Sequence, residues 1–388
     1  MSSEKPNQAR PLILDIGRNY FRLGWAGNDY PDVIAPSIYA DKTDYIFDSD
    51  VIDGLEDIFI GEQKVENHLF GNEALKYSNV LKVHELRNNY NILMKFFYFH
   101  YKKLGIENEN QFKQPIIILT PFFMSDLEQT KLRDIFFNVF DFPAILYLQD
   151  SQGVLSILRR PSAVIVNLGE SNTYITTFLH GFTNIMARDT FPISGKDLTT
   201  ALLNLLLKGA GKTVYLDQMI TKEIKEKLSV CVLNPEGEIK RIKDGLTKYK
   251  SSVDLPDGSK LEINSERFQL VEPLFDPSLI HIDYIGLPEA IVKVIRTWDR
   301  EDWIELLPSI VLVGGGSLIP GLEKRLQLEI SKFFSEKIRD KIAVIATTGR
   351  DTMSWVGASV LWAQGKLEKG WEYNPNASTE EDGLDNNE

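Results

Sequence analysis

Three short apolar runs, each ending in a glycine turn, constrain the fold of this chain more than any other feature. They begin at Leu12 (LILDIG), Ala163 (AVIVNLG) and Val311 (VLVGGG). Apolar runs of this length that end at a turn signal are typical of buried strands. The first two runs are candidate equivalents in two halves of the chain, which makes them a weak internal repeat.

Strand-like and helical segments alternate between the first two runs. Residues 87–104 and 126–139 carry apolar side chains at helical spacing, whereas IIIL at 116–119 and AILYL at 144–148 predict short strands. This alternation predicts an α/β fold with a largely parallel sheet. A chain of 388 residues is also too long for one small core, so we expect two domains or one large body of two lobes.

Charge, cysteine content and hydropathy exclude several classes of protein. The net charge of −12 argues against broad nucleic-acid binding, which needs a basic surface. The single cysteine, Cys231, excludes an internal disulfide and suits a reducing cytosol. The apolar runs are far too short to span a bilayer, and the N-terminal residues form no apolar signal region. We therefore expect a cytoplasmic protein with no direct nucleic-acid partner and no membrane span.

The polar residues of the turns indicate where a charged ligand can bind. Asp15 lies at the end of a strand, where α/β proteins place ligands, and its carboxylate can hold a hydrated Mg²⁺. The backbone amides of Arg18 and Asn19 can cradle phosphate oxygens, and residues 167–171 can close on the same phosphates. Glycines 314–316 allow a ligand to approach the backbone closely. Two plainer interpretations stay open: Asp15 caps a turn, and the three glycines form a flexible one.

A series of segments in a fixed order runs from about Pro11 to about Trp371 and covers nearly the whole chain. The segments are LILDIGRNYFRLGWAGNDYPDVIAPSI (12–38), SQGVLSI (151–157), AVIVNLGESNTYITTFLHGF (163–182), ISGKDLT (193–199), IKEKL (224–228), LPDG (255–258), ERF (266–268), EPLFDPS (272–278), VLVGGGSLIPG (311–321) and SWVGASVL (354–361). In order and spacing they resemble the actins and actin-related proteins. The resemblance is to a divergent member, such as an archaeal or other non-conventional actin-related protein.

The resemblance implies an actin-like bilobal α/β fold, with two related α/β domains around a nucleotide cleft and a subdomain inserted in each. The implied divisions are a first lobe at 1–159 with a loop-bearing subdomain at about 37–70, a second lobe at 160–347 with a nucleotide-capping subdomain at about 194–280, a return to the first lobe at 348–373, and a disordered acidic tail at 374–388.

The resemblance also implies ATP or ADP with Mg²⁺ as cofactors, and it assigns roles by position. Asp15 matches the acid that orients water around the metal, and Gln152 matches the glutamine that positions the attacking water. The other positions that match nucleotide contacts are Gly17, Arg18, Asn19, Arg22, Gly169, Glu170, Ser171, Lys222, Lys225, Glu226, Gly314, Gly315, Gly316 and Ile319.

Several positions depart from the family pattern in ways that bear on catalysis. Asn167 stands where actins have an aspartate, and a neutral amide cannot act as a base. Tyr174 replaces a histidine near the attacking water, Arg18 and Asn19 replace small residues, and Ile319 replaces an aromatic. We therefore expect ATP binding with slow or impaired hydrolysis to ADP and phosphate, a weak ATPase at most.

Two functions follow from the resemblance. The first is a cytoskeletal ATP-binding protein that assembles into filaments, with itself and other actin-family or actin-binding proteins as partners. An acidic segment at 40–57 is expected to be an exposed loop and carries the apolar residues Tyr45, Ile46 and Phe47. Two interpretations stay open: these residues anchor the chain on the next subunit, or the segment is an ordinary solvated loop. The alternative is a non-polymerising subunit of a larger complex for chromatin remodelling or filament nucleation, with a nuclear location.

A sugar kinase or chaperone of the same superfold would need a substrate-binding acid or a peptide-binding domain, and the sequence shows neither.

Overall fold

A computed structural model describes residues 9–46, 67–86, 89–105, 114–210, 216–255 and 258–376. The chain divides into two compact units. Unit 1 comprises Met1–Ile157 and Ser354–Glu388, and unit 2 comprises Leu158–Met353. In the part of the chain that the structure describes, no helix is long and apolar enough to cross a membrane.

The strands and helices are numbered in chain order. The strands are β1 (Leu12–Ile16), β2 (Tyr20–Trp25), β3 (Val33–Pro36), β4 (Ile38–Tyr45), β5 (His68–Phe70), β6 (Leu81–Glu85), β7 (Ile116–Thr120), β8 (Ala144–Gln149), β9 (Ala163–Leu168), β10 (Thr173–Phe178), β11 (Arg188–Phe191), β12 (Ser251–Asp254), β13 (Lys260–Ile263), β14 (Ile310–Val313), β15 (Val344–Ile345) and β16 (Glu372–Tyr373). The α-helices are α1 (Asn72–Lys76), α2 (Tyr90–Lys102), α3 (Asp126–Asp134), α4 (Asp150–Ile157), α5 (Gly195–Ala210), α6 (Gln218–Leu228), α7 (Pro235–Lys243), α8 (Glu266–Gln269), α9 (Leu287–Ile295), α10 (Trp303–Leu306), α11 (Leu322–Ser331), α12 (Glu336–Arg339) and α13 (Met353–Ala363). A π-helical turn spans Ile135–Val139, and 3₁₀ turns span Ile185–Ala187, Glu272–Leu274, Pro277–Ile280, Leu307–Ser309 and Gly315–Leu318.

Unit 1 is built on a six-stranded sheet in the order β16-β8-β7-β1-β2-β3. β1, β7 and β8 are parallel neighbours, and β1 forms an antiparallel hairpin with β2. The predicted strands at 116–119 and 144–148 are confirmed. The predicted helix at 126–139 begins at a capping box between Ser125 and Glu128 and continues beyond Asp134 as the π turn.

Helices α4 and α13 pack backbone against backbone in unit 1. A side chain on Gly153 would come within 2.5 Å of the Ser354 carbonyl oxygen, and one on Gly357 would collide with the Gly153 carbonyl. Ser156 Oγ also donates to the Gly357 carbonyl at 3.0 Å. The indole of Trp355 is fully buried and donates to the Ile13 carbonyl at 3.0 Å.

A second, three-stranded sheet of unit 1 has the order β5-β4-β6. It corrects the prediction of an exposed loop over 40–57, because residues 40–45 belong to β4. Pairing with β5 and β6 satisfies the backbone of this charged segment, and such tertiary pairing overrides weak strand propensity. Residues 47–66, including Phe47 of the predicted anchor, lie outside the described residues.

Unit 2 repeats the arrangement of unit 1 in a five-stranded sheet, β11-β10-β9-β14-β15. In both units a central strand (β1 or β9) pairs antiparallel with the strand that follows it and parallel with a later strand (β7 or β14). The internal repeat between the first two apolar runs is therefore confirmed, as is the α/β class with two related domains. Buried side chains of α9 and α11 cover the sheet of unit 2, and Cys231 is a buried free thiol of the same core.

Candidate functional site

The β1–β2 hairpin of unit 1 joins a carboxylate to a guanidinium. Asp15 and Arg22 are register partners across the two strands, and Asp15 Oδ2 lies 2.9 Å from Arg22 Nη1. Arg22 is only 8% exposed, and its buried Nε–H meets no acceptor among the described residues. A buried donor without an acceptor costs free energy, so this position favours an anionic or water ligand.

Gly17 shapes the turn between these strands. A side chain at this position would come within 2.6 Å of the Tyr20 carbonyl oxygen, so only glycine fits. Ser37 holds the turn in place, since its Oγ donates to the Gly17 carbonyl at 2.6 Å and its backbone N donates to the Asn19 carbonyl at 3.0 Å. Ser37 was not identified from the sequence, although it directly follows Pro36 within the segment at 12–38 that carries the resemblance.

Arg18 and Gln152 occupy different parts of unit 1. Arg18 Nη2 lies 2.5 Å from Glu85 Oε2, which draws the guanidinium toward the end of β6. Gln152 is exposed in the first turn of α4, directly after β8. Because β1, β7 and β8 are parallel, Gln152 follows the sheet at the same carboxyl-terminal edge at which Asp15 lies.

The β9–β10 hairpin of unit 2 has the same geometry with different chemistry. Asn167 and Tyr174 are register partners, and Asn167 Nδ2 donates to Tyr174 Oη at 2.6 Å. A side chain on Gly169 would come within 2.7 Å of the Asn172 carbonyl oxygen, which matches the constraint at Gly17. In each hairpin a polar residue, Asp15 or Asn167, stands two positions before the glycine. Its side chain is hydrogen-bonded to the side chain seven positions after it, that of Arg22 or Tyr174.

A buried lysine connects this second turn to the helices that follow it. Lys225 Nζ lies 3.1 Å from Glu170 Oε2 and donates to the Gly195 carbonyl at 2.7 Å. Burial lowers the pKa of the Lys225 ammonium, and the Glu170 carboxylate opposes that shift. Gly195 begins α5 directly beside the Glu170 carboxylate, and the Lys196 backbone N donates to the Glu170 carbonyl at 3.0 Å. Lys225 therefore fixes the position of the turn from the side of α6.

The Gly314–Gly316 turn lies against the β9–β10 turn within unit 2. Gly314 has a φ of +83°, and a side chain there would approach Asn167 Oδ1 to 2.5 Å and the Leu168 carbonyl to 2.6 Å. Gly315 is exposed and faces open space. Both turns follow parallel strands, β9 and β14, and so lie at one edge of the sheet.

Arg350 closes this turn and was not predicted from the sequence. Its Nη2 donates to the Ser317 carbonyl at 2.9 Å, its Nε donates to Ser317 Oγ at 3.1 Å, and its carbonyl accepts from the Gly314 backbone N at 3.2 Å. No local sequence signal identified it, because the contact joins residues 33 positions apart.

The remaining predicted residues differ in their exposure. Ser171 and Lys222 are half-buried, Glu226 is exposed on α6, and Ile319 is buried in the core of unit 2. Within each unit, several of the predicted residues are brought together by direct contacts or by adjacent turns. These are Asp15, Gly17, Arg18, Asn19 and Arg22 in unit 1, and Asn167, Gly169, Glu170, Tyr174, Lys225, Gly314 and Gly316 in unit 2.

The side chains available as ligands determine which kind of Mg²⁺ site the protein can form. Within the described ranges, no group of three or more His, Cys, Asp or Glu side chains could hold a metal ion. Mg²⁺ needs few protein ligands when it keeps its waters and binds substrate phosphates. Asp15 supplies one carboxylate, of which Oδ2 is engaged by Arg22. These residues fit a hydrated Mg²⁺ that arrives with a phosphate ligand, and they do not fit an all-protein metal cage.

Comparisons with known proteins agree with the resemblance. The sequence profile of the family described as actin matches residues 7–216 and 211–374. An actin-like protein of Neurospora crassa is 28% identical over 367 residues, which are 93% of this chain and 93% of the relative. The predicted resemblance and the predicted fold class are thereby confirmed.

Proposed function

The chain belongs to the actin family, and on this premise we propose that it is an ATP-binding cytoskeletal protein that assembles into filaments and hydrolyses ATP slowly. The observation that carries the proposal is the pair of equivalent hairpins, in which Gly17 and Gly169 form tight turns beside Asp15 and Asn167. Exposed backbone amides at glycine turns are a common way to bind phosphate.

Arg22 supports phosphate binding in unit 1. Its Nη1 lies 3.6 Å from where a side-chain carbon on Gly17 would stand, and its buried Nε–H has no acceptor in the described chain. A phosphate oxygen near the Gly17 turn would supply that acceptor. Because Asp15 Oδ2 engages Nη1, the Arg22 guanidinium is already oriented when the ligand arrives.

When bound, Mg²⁺ would neutralise phosphate charge. On the protein side, Asp15 would hold the metal's waters through the carboxylate oxygen that Arg22 does not engage. Asn167 offers only a neutral amide, whose Nδ2 already donates a hydrogen bond to Tyr174 Oη. Gln152, exposed at the start of α4, would orient a water but cannot take its proton. The chain's residues therefore support binding better than proton abstraction, which is the reason for the slow hydrolysis that we propose.

Calorimetric titration with ATP in the presence and absence of Mg²⁺ tests the binding proposal. Asp15→Asn keeps the shape of the side chain and removes its charge, so it should weaken MgATP binding by about tenfold or more. Asp126→Asn, on the exposed start of α3, is the matched control and should bind like wild type. A wild type that releases no heat with ATP, and whose melting temperature ATP does not raise, would show that the chain binds no nucleotide.

An exposed apolar surface supports the assembly part of the proposal. The nine-residue connection between β10 and β11 of unit 2 carries three exposed apolar side chains. These are Phe182, Ile185 and Met186, which are 76%, 86% and 70% exposed. Apolar side chains grouped in this way mark association sites more often than isolated ones do. The net charge of −12 makes copies of the chain repel one another, so salt should favour assembly by screening.

Sedimentation and electron microscopy across salt concentrations test assembly. We expect ATP-dependent filaments from wild type and none from the Phe182→Ser/Ile185→Ser/Met186→Ser variant. A Tyr45→Ser/Ile46→Ser/Phe47→Ser variant tests the anchor predicted from the sequence, of which Ile46 is exposed at the end of β4.

The alternative function is that of a non-polymerising subunit in a larger complex. The observation that favours it is the neutral Asn167–Tyr174 pair, because a subunit that only binds nucleotide has no need of turnover. A wild type that binds ATP and stays monomeric at high protein and salt concentration would support this function over filament assembly.

A further inference from the structure

Basic side chains are concentrated on one exposed stretch of unit 2, at the end of α7 and in the loop that follows it. Residues 240–250 carry five basic side chains and one acidic side chain, a net charge of +4. Because the whole chain has a net charge of −12, the remaining residues carry −16. All five basic side chains are exposed, and together they are called the α7 basic surface: Lys240, Arg241, Lys243, Lys248 and Lys250.

The apolar face of α7 is already used within unit 2. Ile239 and Ile242 pack against a small core that includes Tyr249 of the following loop. A side-chain hydrogen bond between Tyr249 and Glu238 holds this loop against the helix. Lys248 Nζ lies 5.2 Å from the centroid of the Tyr249 ring. The basic residues of the helix and of the loop therefore lie on one surface.

Most of the charge of this surface is unpaired. Two of its five residues pair with carboxylates of unit 2, at 2.8 and 3.0 Å. The other three, Lys240, Lys243 and Lys248, form no ion pair with the described residues. Cations in the last turn of a helix favour its dipole, but Lys248 and Lys250 lie beyond the end of α7. The helix alone therefore does not account for this cluster of charges.

The C-terminal segment of the chain has the opposite charge. Residues 377–388 lie outside the described residues, and their sequence contains five acidic side chains and no basic one. The acidic residues are Glu380, Glu381, Asp382, Asp385 and Glu388. Nine residues can span about 30 Å, whereas a nine-residue helix such as α7 is about 14 Å long. The segment at 380–388 is therefore long enough to meet every lysine of the surface.

We propose that the α7 basic surface binds the acidic segment 380–388 of a second copy of this chain. The contact joins two different surfaces, so each bound pair of copies still offers one basic surface and one acidic segment to further copies. It is separate from the apolar side chains of the β10–β11 connection, and it needs no nucleotide. A nucleic acid or an anionic membrane fits less well, because a long polyanion would also meet the −16 of the remaining residues.

Sedimentation velocity of two complementary variants, at low salt and without nucleotide, tests the proposal. The surface variant is Lys240→Gln/Lys243→Gln/Lys248→Gln, and the segment variant is Glu380→Gln/Glu381→Gln/Asp382→Asn/Asp385→Asn. Each variant alone should be monomeric, because it lacks one half of the contact. Their mixture should form dimers, because the surface variant retains the acidic segment and the segment variant retains the basic surface.

A labelled peptide of residues 377–388 measures the same contact by fluorescence anisotropy. The receptor is the segment variant, whose own C-terminal residues compete poorly. Adding the three lysine substitutions to this receptor should weaken peptide binding by about tenfold or more, because three exposed ion pairs are lost together. Salt should also weaken it by screening, which is the opposite of the effect expected on filaments.

A matched control separates this surface from a general effect of charge. Lys324→Gln/Lys337→Gln/Lys341→Gln removes the same charge from other exposed positions of unit 2. Introduced into the same receptor, these substitutions should leave the affinity for the peptide nearly unchanged.

Three outcomes would overturn the proposal. A mixture of the two variants that stays monomeric would show that no contact forms between copies. Equal losses of peptide affinity in the surface and control substitutions would show that the α7 basic surface has no special role. Binding of inorganic polyphosphate but not of the peptide would assign the surface to a phosphate-bearing partner. None of these outcomes changes the tests of ATP binding and filament assembly, which are measured with nucleotide present.

Discussion

Asn167 and Tyr174 face each other across two strands of unit 2, and a hydrogen bond of 2.6 Å joins their side chains. Asp15 and Arg22 hold the equivalent positions in unit 1 and form an ion pair at 2.9 Å. The two hairpins therefore share their geometry and differ in charge. Unit 1 retains a carboxylate at its turn, whereas unit 2 presents an amide that cannot accept a proton from water.

Restoring a carboxylate at the second turn should raise the rate of ATP hydrolysis. In Asn167→Asp the Tyr174 hydroxyl can donate to the new carboxylate, so the hairpin is preserved while a base is added. We expect phosphate release to rise by about tenfold or more, within the usual contribution of a positioned base. Asn184→Asp is the control. Asn184 lies in a different loop, where it caps the 3₁₀ turn at Ile185–Ala187, and an aspartate can serve as the same cap. Equal rates in Asn167→Asp and wild type would show that the amide does not limit turnover.

Breaking the buried Lys225–Glu170 pair should destabilise unit 2. Lys225→Met leaves the Glu170 carboxylate buried without its cation and the Gly195 carbonyl without its donor. We expect a loss of about 3 kcal/mol in the free energy of unfolding, measured with urea. Lys227→Met removes the exposed pair with Glu223 on the same helix and should cost less than about 0.5 kcal/mol.

The double variant Lys225→Met/Glu170→Gln tests the cause of that loss. Removing both charges leaves no buried carboxylate unpaired, so the double variant should be more stable than Lys225→Met alone. A double variant that is less stable than either single variant would mean that packing, and not the unpaired charge, dominates at this position.

Two neighbouring glycines should respond very differently to alanine. Gly314 has a φ of +83°, and a side chain there meets Asn167 Oδ1 and the Leu168 carbonyl. Gly314→Ala should therefore lower the free energy of unfolding by about 2 kcal/mol or more. Gly315 faces open space, so Gly315→Ala should change it by less than about 0.5 kcal/mol. Similar urea midpoints for the two variants would contradict the described conformation of this turn.

His100 should make the protein sensitive to acid. It is buried against Phe96 and Phe99, neither ring nitrogen has a hydrogen-bond partner in the described residues, and burial lowers its pKa to about 3. The unfolded chain binds a proton near pH 6.5 and the folded chain does not until about pH 3. Stability contributed by neutral His100 is therefore complete above pH 6.5 and is lost as the pH falls.

His100→Leu should remove this part of the pH dependence. The difference in the free energy of unfolding between pH 7.5 and pH 5 should shrink by about 2 kcal/mol. His180→Asn is the control, because His180 is exposed and asparagine tolerates its positive φ. An unchanged difference in His100→Leu would mean that other groups cause the acid sensitivity.

Much of each hairpin could be predicted from local sequence. LILDIG and AVIVNLG predicted β1 and β9 because an apolar run must be buried and a glycine permits a turn that other residues do not. The start of α3 after Ser125 could also be predicted from the sequence, because a capping box is a contact within four residues. The charged segment at 40–45 was mispredicted because its strand depends on pairing with β5 and β6, which lie farther along the chain.

By itself, the sequence determined where strands end in glycine turns, that an amide replaces a carboxylate at Asn167, and that the chain resembles one family along nearly its whole length. Only the tertiary structure decided what those side chains contact. The Arg18–Glu85 and Lys225–Glu170 pairs join residues 67 and 55 positions apart. Hydrophobic periodicity specifies which face of a strand or helix is buried, but it carries no information about which distant polar groups meet once those faces pack.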